Sequence, residues 1–216
     1  MKSDKDIQRD VRQELAWNPA VTETHVGVSV EDGVVTLSGK VPSYAEKAAA
    51  EASAMRVDGV KAIVEKIEVE IPGTFHRSDA DIARAAIDAL KWNVQIPSEK
   101  IQVSVENGRV ELSGEVPWEF QKRASYDAVR NLTGVTWVDN AITVKSRINP
   151  ENVKEKIEQA LKRAAEREAN RILIEAEGGR VTLSGKVRSL ADLRDAEGAA
   201  WSAPGVSEVV SNLKVA

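Results

Sequence analysis

Few side chains in this sequence have the types and the spacing that catalysis requires. Its two histidines, His25 and His76, lie far apart, so neither has a second histidine at metal-ligand spacing. A serine recurs in the tripeptide Leu-Ser-Gly as Ser38, Ser113 and Ser184, but no histidine accompanies it and no Gly-x-Ser-x-Gly turn surrounds it. The absence of cysteine excludes thiol nucleophiles, disulfides and cysteine zinc sites. We therefore expect no enzymatic activity, no metal and no cofactor.

Carboxylates occur in pairs at the start of predicted helices, as in Asp79 and Asp81. Negative charge at a helix start is stabilised by the helix dipole, and a serine three residues before an acid is a variant of the capping box. Ser78 precedes Asp81 in this way, as Ser3 precedes Asp6. Capping therefore explains these acids better than general acid–base catalysis does.

Aromatic side chains next to basic ones offer a different chemistry, which is contact with a lipid surface. Trp118 and Phe120 open a predicted helix. The basic residues that follow them are Lys122, Arg123 and Arg130. Segments of this kind place aromatic rings in the membrane interface and cations near anionic headgroups. We predict that these five residues contact anionic phospholipid. The alternative is an aromatic lid over the protein's own core, beside a solvated charged face.

Composition and charge narrow the class of protein. The chain has 216 residues, of which 42% are hydrophobic and 30% charged, as in an ordinary globular protein. Its net charge of -4 and its pI of about 5.4 argue against a nucleic-acid partner, which demands a basic face. No apolar run is long enough for a transmembrane helix, and no secretory signal is visible at the start. We expect a cytoplasmic protein, or a periplasmic one if the sequence is a mature form.

The strongest pattern in the sequence is a threefold repeat. A segment of the form Gly-x-Val-x-Leu-Ser-Gly-x-Val occurs at 33–41, 108–116 and 179–187, and a Gly-Val pair follows each copy at the same distance. The repeated glycines are Gly33, Gly39, Gly59, Gly108, Gly114, Gly134, Gly179, Gly185 and Gly205. They surround a predicted hairpin rather than a strand-to-helix phosphate loop, so nucleotide binding finds no support. Internal repeats of this kind predict tandem copies of one fold.

Each repeat contains a predicted β-hairpin. The turn dipeptides are Asp32-Gly33, Asn107-Gly108 and Gly178-Gly179, which favour the type I′ turn. A two-residue loop fixes the register, so that Val26 faces Gly39, and likewise Ile101 faces Gly114 and Ile172 faces Gly185. The second glycine of each segment is then predicted on the buried face. Close helix packing or a bulge would require a glycine there, and a ligand cleft is the functional alternative.

Helical patterns flank each hairpin. Before it, apolar residues recur every four positions: Ile7, Val11 and Leu15; Ile82, Ala86 and Leu90; and, after an Asn149-Pro150 cap, Val153, Ile157 and Leu161. After it, alanine-rich helices are predicted at Tyr44–Val57, Trp118–Leu132 and Leu190–Ser202, each followed by a glycine suited to a left-handed cap. A last strand ends each unit and should run parallel to the second strand.

These elements predict an α+β protein of three tandem α-β-β-α-β modules, each with a three-stranded mixed sheet and two helices. The expected ranges are 1–71 (module 1), 77–146 (module 2) and 149–216 (module 3). Trp17 and Trp92 end equivalent helices, and we expect both to pack in the core or at its rim. Module 3 has Arg163 at the same place. If the tryptophan contributes to a binding surface, module 3 lacks that contribution.

The unit resembles the BON domain, which is named for osmotically inducible and nodulation proteins of bacteria. The resemblance rests on the repeated nine-residue segment and its Gly-Val pair, and module 2 is the most typical copy, with Trp92, Asn140 and Ile142–Val144. The resemblance implies non-enzymatic binding, of phospholipid surfaces or of proteins, in osmotic and envelope stress.

Our leading hypothesis is a bacterial stress-response protein that contacts membrane phospholipid through one or two modules. The alternative is a structural adaptor that binds a protein partner or associates with itself. Sensing of a small cation through backbone carbonyls is a third interpretation.

Overall fold

The computed structural model describes residues 2–145, 172–177, 179–203, 206 and 208–215. The helices in this part of the chain are Asp4–Trp17 (α1), Tyr44–Met55 (α2), Asp79–Trp92 (α3), Glu119–Val129 (α4) and Leu190–Trp201 (α5). The strands are Val26–Glu31 (β1), Val34–Val41 (β2), Ala62–Val69 (β3), Ile101–Glu106 (β4), Arg109–Val116 (β5), Trp137–Val144 (β6), Ile172–Glu177 (β7), Arg180–Val187 (β8) and Glu208–Val215 (β9). Single turns of 3-10 helix lie at Glu23–His25, Gly73–Phe75 and Ser98–Lys100.

The strands form three sheets, in the orders β1-β2-β3, β4-β5-β6 and β7-β8-β9. In each sheet the first two strands are antiparallel and the last two are parallel. The predicted hairpin register is confirmed, with Val26 opposite Gly39, Ile101 opposite Gly114 and Ile172 opposite Gly185. The α+β class with repeated mixed sheets is therefore confirmed.

The helices after the hairpins are shorter than predicted. α2 ends at Met55 rather than Val57, and α4 spans Glu119–Val129 rather than Trp118–Leu132. Gly59 has a positive φ of 91°, but it lies in a turn beyond the end of α2 and does not cap the helix directly. The helix predicted from Val153, Ile157 and Leu161 lies outside the described residues, as do Asn149, Pro150, Arg163, Gly178 and Gly205.

The second glycine of the repeated segment is required by the neighbouring strand. Gly39 and Gly114 have φ of 131° and 137°, a region that residues with a side chain rarely adopt. A Cβ on Gly39 would overlap the carbonyl oxygen of His25, and one on Gly114 would overlap that of Lys100. Gly39 is exposed. The prediction of helix packing at a buried glycine is therefore wrong, because the close approach is between two backbones.

Each core lies between one face of a sheet and its helices. In module 1, Val35 and Leu37 of β2 are completely buried against α1 and α2. The predicted inward stripes on the two described first helices are confirmed, since all six side chains are buried: Ile7, Val11, Leu15, Ile82, Ala86 and Leu90. The other sheet face carries polar side chains and is open.

Each module has two distinct ends. In modules 1 and 2, the head is the end at which the first helix ends, the first strand begins, and the second helix starts after the second strand; the head of module 3 is the end at which β7 begins and α5 starts. At the opposite end, the tail, the hairpin turn lies beside the end of the second helix and the start of the third strand. A backbone hydrogen bond from the Lys61 N–H to the Gly33 carbonyl, 2.9 Å long, holds the tail of module 1 together.

A carboxylate ties the first helix to the hairpin turn in modules 1 and 2. The Asp79 carboxylate accepts hydrogen bonds from the N–H groups of Asn107 and Gly108, at 2.8 and 2.9 Å. Asp4 binds the turn of module 1 in the same way. The capping interpretation of Ser78 and the acid three residues later is also confirmed, because the Asp81 N–H donates to the Ser78 hydroxyl. These acids are structural.

We expect Asp79→Ala to lower the free energy of unfolding by about 1.5–3 kcal/mol, because two turn N–H groups lose an ionised acceptor. Urea denaturation followed by circular dichroism measures the change. Asp88→Ala is the matched control, since Asp88 is exposed on the same helix and has no partner among the described residues. Equal stability of the two variants would contradict the structural assignment of Asp79.

The head of module 1 lies against the tail of module 2. Tyr44, the first residue of α2, is only 7% exposed and packs with the core of module 2. Its hydroxyl is hydrogen-bonded to that of Tyr126, at 3.0 Å, and its ring meets Trp137 edge-on at 5.8 Å. Burial and the bond to Tyr126 raise the pKa of Tyr44 well above its usual range. Tyr44 therefore anchors this junction as a neutral phenol.

The head of module 3 lies against the tail of module 1. The Gly59 N–H donates to the Arg188 carbonyl at 3.0 Å, and Leu190 packs against the core of module 1. Arg194 of α5 also pairs with Glu51 of α2 at 3.4 Å. The two junctions repeat one head-to-tail pattern. The order of modules in space is thus 3, 1, 2, with module 1 between its neighbours.

Candidate functional site

The head of module 2 carries the most exposed apolar side chains of this module. Trp92 is 87% exposed and Val94 is 99% exposed. Trp92 follows the buried Leu90 by two residues, which turns its side chain by about 200° around the helix, away from the core. Trp17 is likewise 86% exposed at the end of α1. The prediction that both tryptophans pack in the core or at its rim is therefore wrong.

A fixed turn holds Trp92 and Val94 out of the protein. Asn93 ends α3, and its side-chain oxygen accepts a hydrogen bond from the Gln95 N–H at 3.0 Å. The Ile96 N–H donates to the Asn93 carbonyl at 3.0 Å, and the Ile96 side chain is buried in the core. The turn is thus anchored on both sides of Val94. Its exposed side chains belong to a well-defined surface and not to a loose chain segment.

Four of the five predicted lipid-contact residues lie at this head. Trp118 is the half-buried N-cap residue of α4, and Phe120 in the first turn is 52% exposed. Lys122 is half-buried and Arg123 is exposed on the next turn. They share the head with Trp92 because α3 ends where α4 begins. Lipid contact by these residues stays a prediction.

Arg130 is separated from the other predicted residues. It caps the opposite end of α4, about 18 Å from Trp118 at 1.5 Å per residue. Its Nε pairs with Asp127 at 3.2 Å, and its guanidinium lies 5.6 Å from the centre of the Tyr126 ring. Arg130 therefore belongs to the tail of module 2 and not to the aromatic head.

Basic side chains lie at the same end of module 2. They are Lys91, Lys100, Lys122, Arg123 and Lys145. The acids at this end are Glu99, Glu115 and Glu119, and Glu115 is paired with Lys145 at 3.5 Å. Burial raises the pKa of Glu119, against the opposing effect of Lys122 and Arg123. The head of module 2 therefore combines protruding apolar side chains with an excess of cations.

The sequence patterns did not indicate one aromatic cluster, which lies at the junction of modules 1 and 2. Trp137 on the open face of β6 lies between two cations, with Lys47 at 5.0 Å and Arg109 at 5.5 Å from its ring centre. The Lys47 ammonium also donates to the Ile67 carbonyl at 2.6 Å. The signal that could have indicated this cluster is Trp137 itself. It is an aromatic residue opposite Arg109 on a strand face that otherwise carries polar side chains, which indicates that another part of the protein packs on that face.

The described residues show no arrangement typical of catalysis. His25 and His76 are both exposed, and Ser38 lies on the outer face of β2. Within the same ranges, no three histidine, aspartate or glutamate side chains cluster as metal ligands would. Nor does any described helix have the length and apolar character needed to cross a bilayer.

Comparison with known proteins agrees with the repeated architecture. The sequence profile of the BON domain matches residues 3–71, 78–146 and 149–216. Osmotically inducible protein Y of Escherichia coli K12 is 28% identical over 146 residues, which cover 66% of this chain and 73% of that protein. The structure of CdsD, a structural protein of the type III secretion system of Chlamydia trachomatis, aligns over 96% of this chain and 91% of that one, at 16% identity. Its TM-score of 0.27 is too low to support any inference. The profile match alone, which accounts for nearly the whole chain, shows that this protein belongs to the BON domain family and contains three copies of the domain.

Proposed function

We propose that this protein associates with anionic phospholipid surfaces through the head of module 2, as part of a stress response. The exposure of Trp92 and Val94 on an anchored turn supports the proposal most directly. Neighbouring apolar side chains held in water form a patch of the kind that marks an interaction surface, and an interfacial membrane contact would bury them. The stress role rests on the family and on the E. coli relative, which is named for osmotic induction.

Simple energetics favour a reversible contact. Burying Val94 and the larger Trp92 in the interface contributes about 1.5–3 kcal/mol for each side chain. Each basic residue held near an anionic surface adds about 1 kcal/mol, and salt weakens this part. Lys91, Lys122 and Arg123 can contribute in this way. Binding should therefore need both the apolar side chains and an anionic lipid.

Vesicle flotation tests the proposal. We expect binding to vesicles of phosphatidylcholine with phosphatidylglycerol, and little binding to phosphatidylcholine alone. Trp92→Ala combined with Val94→Asp should weaken binding at least about tenfold, which corresponds to a loss of 1.4 kcal/mol. Leu173→Ala is the matched control, because Leu173 is an exposed apolar side chain of module 3. Unchanged binding by the double variant would overturn the proposal.

Self-association is the second candidate, because heads already dock on tails within the chain. The residue that anchors this contact is Tyr44 in module 1 and Leu190 in module 3. The equivalent residue of module 2 is Glu119. Burying its carboxylate in a contact of the same kind would be costly, which disfavours such a contact. Light scattering separates the two candidates by measuring the mass of the protein in solution. Self-association predicts a mass above that of the monomer, whereas a protein that stays monomeric up to high concentration leaves the head of module 2 available to lipid.

A further inference from the structure

The two junctions between modules are built from equivalent segments, but a backbone hydrogen bond joins the modules at only one of them. Where module 3 meets module 1, the Gly59 N–H donates to the Arg188 carbonyl. Where module 1 meets module 2, the equivalent donor is the Gly134 N–H and the equivalent acceptor residue is Pro42. No such bond forms, and the Gly134 N–H has no acceptor among the described residues although Gly134 is buried. Unpartnered buried N–H groups are rare in proteins.

A cleft of about 310 Å³ lies at this open junction. Its apolar wall comes from both modules and from the segment between them: Tyr44, Ala45, Ile71, Phe75, Leu132 and Val135. Phe75 is 54% exposed at this cleft, in the connecting turn of 3-10 helix. The volume corresponds to about ten waters at 30 Å³ each, which is enough for a ligand of roughly ten heavy atoms.

The polar groups of the cleft are suited to an anion. Arg130 lines it, and its closest approach to an acid is 3.2 Å, from Nε to Asp127; its terminal nitrogens donate no hydrogen bond to the described residues. The guanidinium also lies over the Tyr126 ring, 5.6 Å from the ring centre. Gly134 lines the same cleft, and no carboxylate side chain does. Arginine with a backbone N–H is a common way to bind a carboxylate.

We propose that the cleft between modules 1 and 2 binds a small carboxylate with an apolar body, taken from solution. The carboxylate lies between the Arg130 guanidinium and the Gly134 N–H and accepts hydrogen bonds from both. The apolar body lies against Phe75 and Leu132. This site lies at the tail of module 2, away from the head proposed to contact membranes, so it does not depend on that proposal. A ligand there contacts both modules and stabilises their junction.

Octanoate, used without vesicles and below its micellar range, is the probe that tests this site. We expect saturable binding in calorimetry and a higher melting temperature, with much weaker binding of octan-1-ol and of octylammonium. Arg130→Gln should reduce the octanoate affinity at least about tenfold. Arg84→Gln is the matched control, because Arg84 pairs with an aspartate three residues earlier, as Arg130 does. This control should bind octanoate like the unmodified chain.

Three results would overturn the proposal. The first is the absence of saturable octanoate binding to the unmodified chain, and the second is full affinity in Arg130→Gln. The third is loss of octanoate binding in the Trp92→Ala, Val94→Asp variant, which would place the ligand at the head of module 2. Retained octanoate binding in that variant, together with lost vesicle binding, supports two separate sites.

Discussion

Gly114→Ala is expected to lower the free energy of unfolding of module 2 by about 3–5 kcal/mol. Two costs add up. The φ of 137° is strained for any residue with a side chain, and the new Cβ would overlap the Lys100 carbonyl oxygen, which belongs to the backbone and cannot rotate away. The strands must separate at Ile101 to make room. Denaturation in urea, with circular dichroism as the signal, measures the loss.

Gly198→Ala is the control for this experiment, because it is the same chemical change at a place with open space. A Cβ on Gly198 would meet nothing within 4 Å, and the residue lies inside α5. We expect a gain of about 0.5–1 kcal/mol there from the higher helix propensity of alanine. A loss below about 1 kcal/mol in Gly114→Ala would mean that the two strands adjust easily, against the interpretation of this glycine.

The second large effect is expected at the junction anchored by Tyr44. Tyr44→Ala should cost about 3–5 kcal/mol, because it removes a buried aromatic side chain and leaves a cavity against Trp137 and Tyr126. Modules 1 and 2 should then unfold in two separate transitions in calorimetry. The linker at 72–77 should become an early site of proteolysis, since the junction no longer restrains it.

Tyr44→Phe separates the hydroxyl from the ring. It keeps the packing and removes only the bond to Tyr126, so we expect a loss of about 1 kcal/mol and a single transition. The double variant with Tyr126→Phe should be no less stable than Tyr44→Phe alone, because neither hydroxyl is then left without its partner. Two transitions in Tyr44→Phe would show that the hydroxyls, and not the rings, hold the modules together.

Local chemistry made most of the fold predictable. A two-residue turn with φ above zero at both positions leaves one register for a hairpin, and Asp32 and Gly33 have φ of 52° and 79° as that turn requires. The four-residue spacing of Ile7, Val11 and Leu15 likewise leaves one face of α1 for the core. Such patterns are contained within a single module, so each can be interpreted without its neighbours.

The site is harder to predict, for three reasons. The size and apolar character of Trp92 predict packing in the core or at its rim, although its spacing from Leu90 indicates the opposite face of the helix. The contact of Tyr44 with Trp137 depends on how modules pack, and no periodicity within one module encodes that packing. Sequence proximity groups Arg130 with Trp118, whereas the length of α4 separates them.

The spatial order of the modules has a consequence for the chain during its synthesis. Module 1 is synthesised before module 3, whose head covers the tail of module 1. The contact between Glu51 and Arg194 spans 143 positions, so its loop closure is slow and opposed by chain entropy. Until Leu190 arrives, the surface around Gly59 is open to water and to other newly made chains. The nascent protein therefore passes through a stage in which module 1 is folded but the surface around Gly59 is still uncovered.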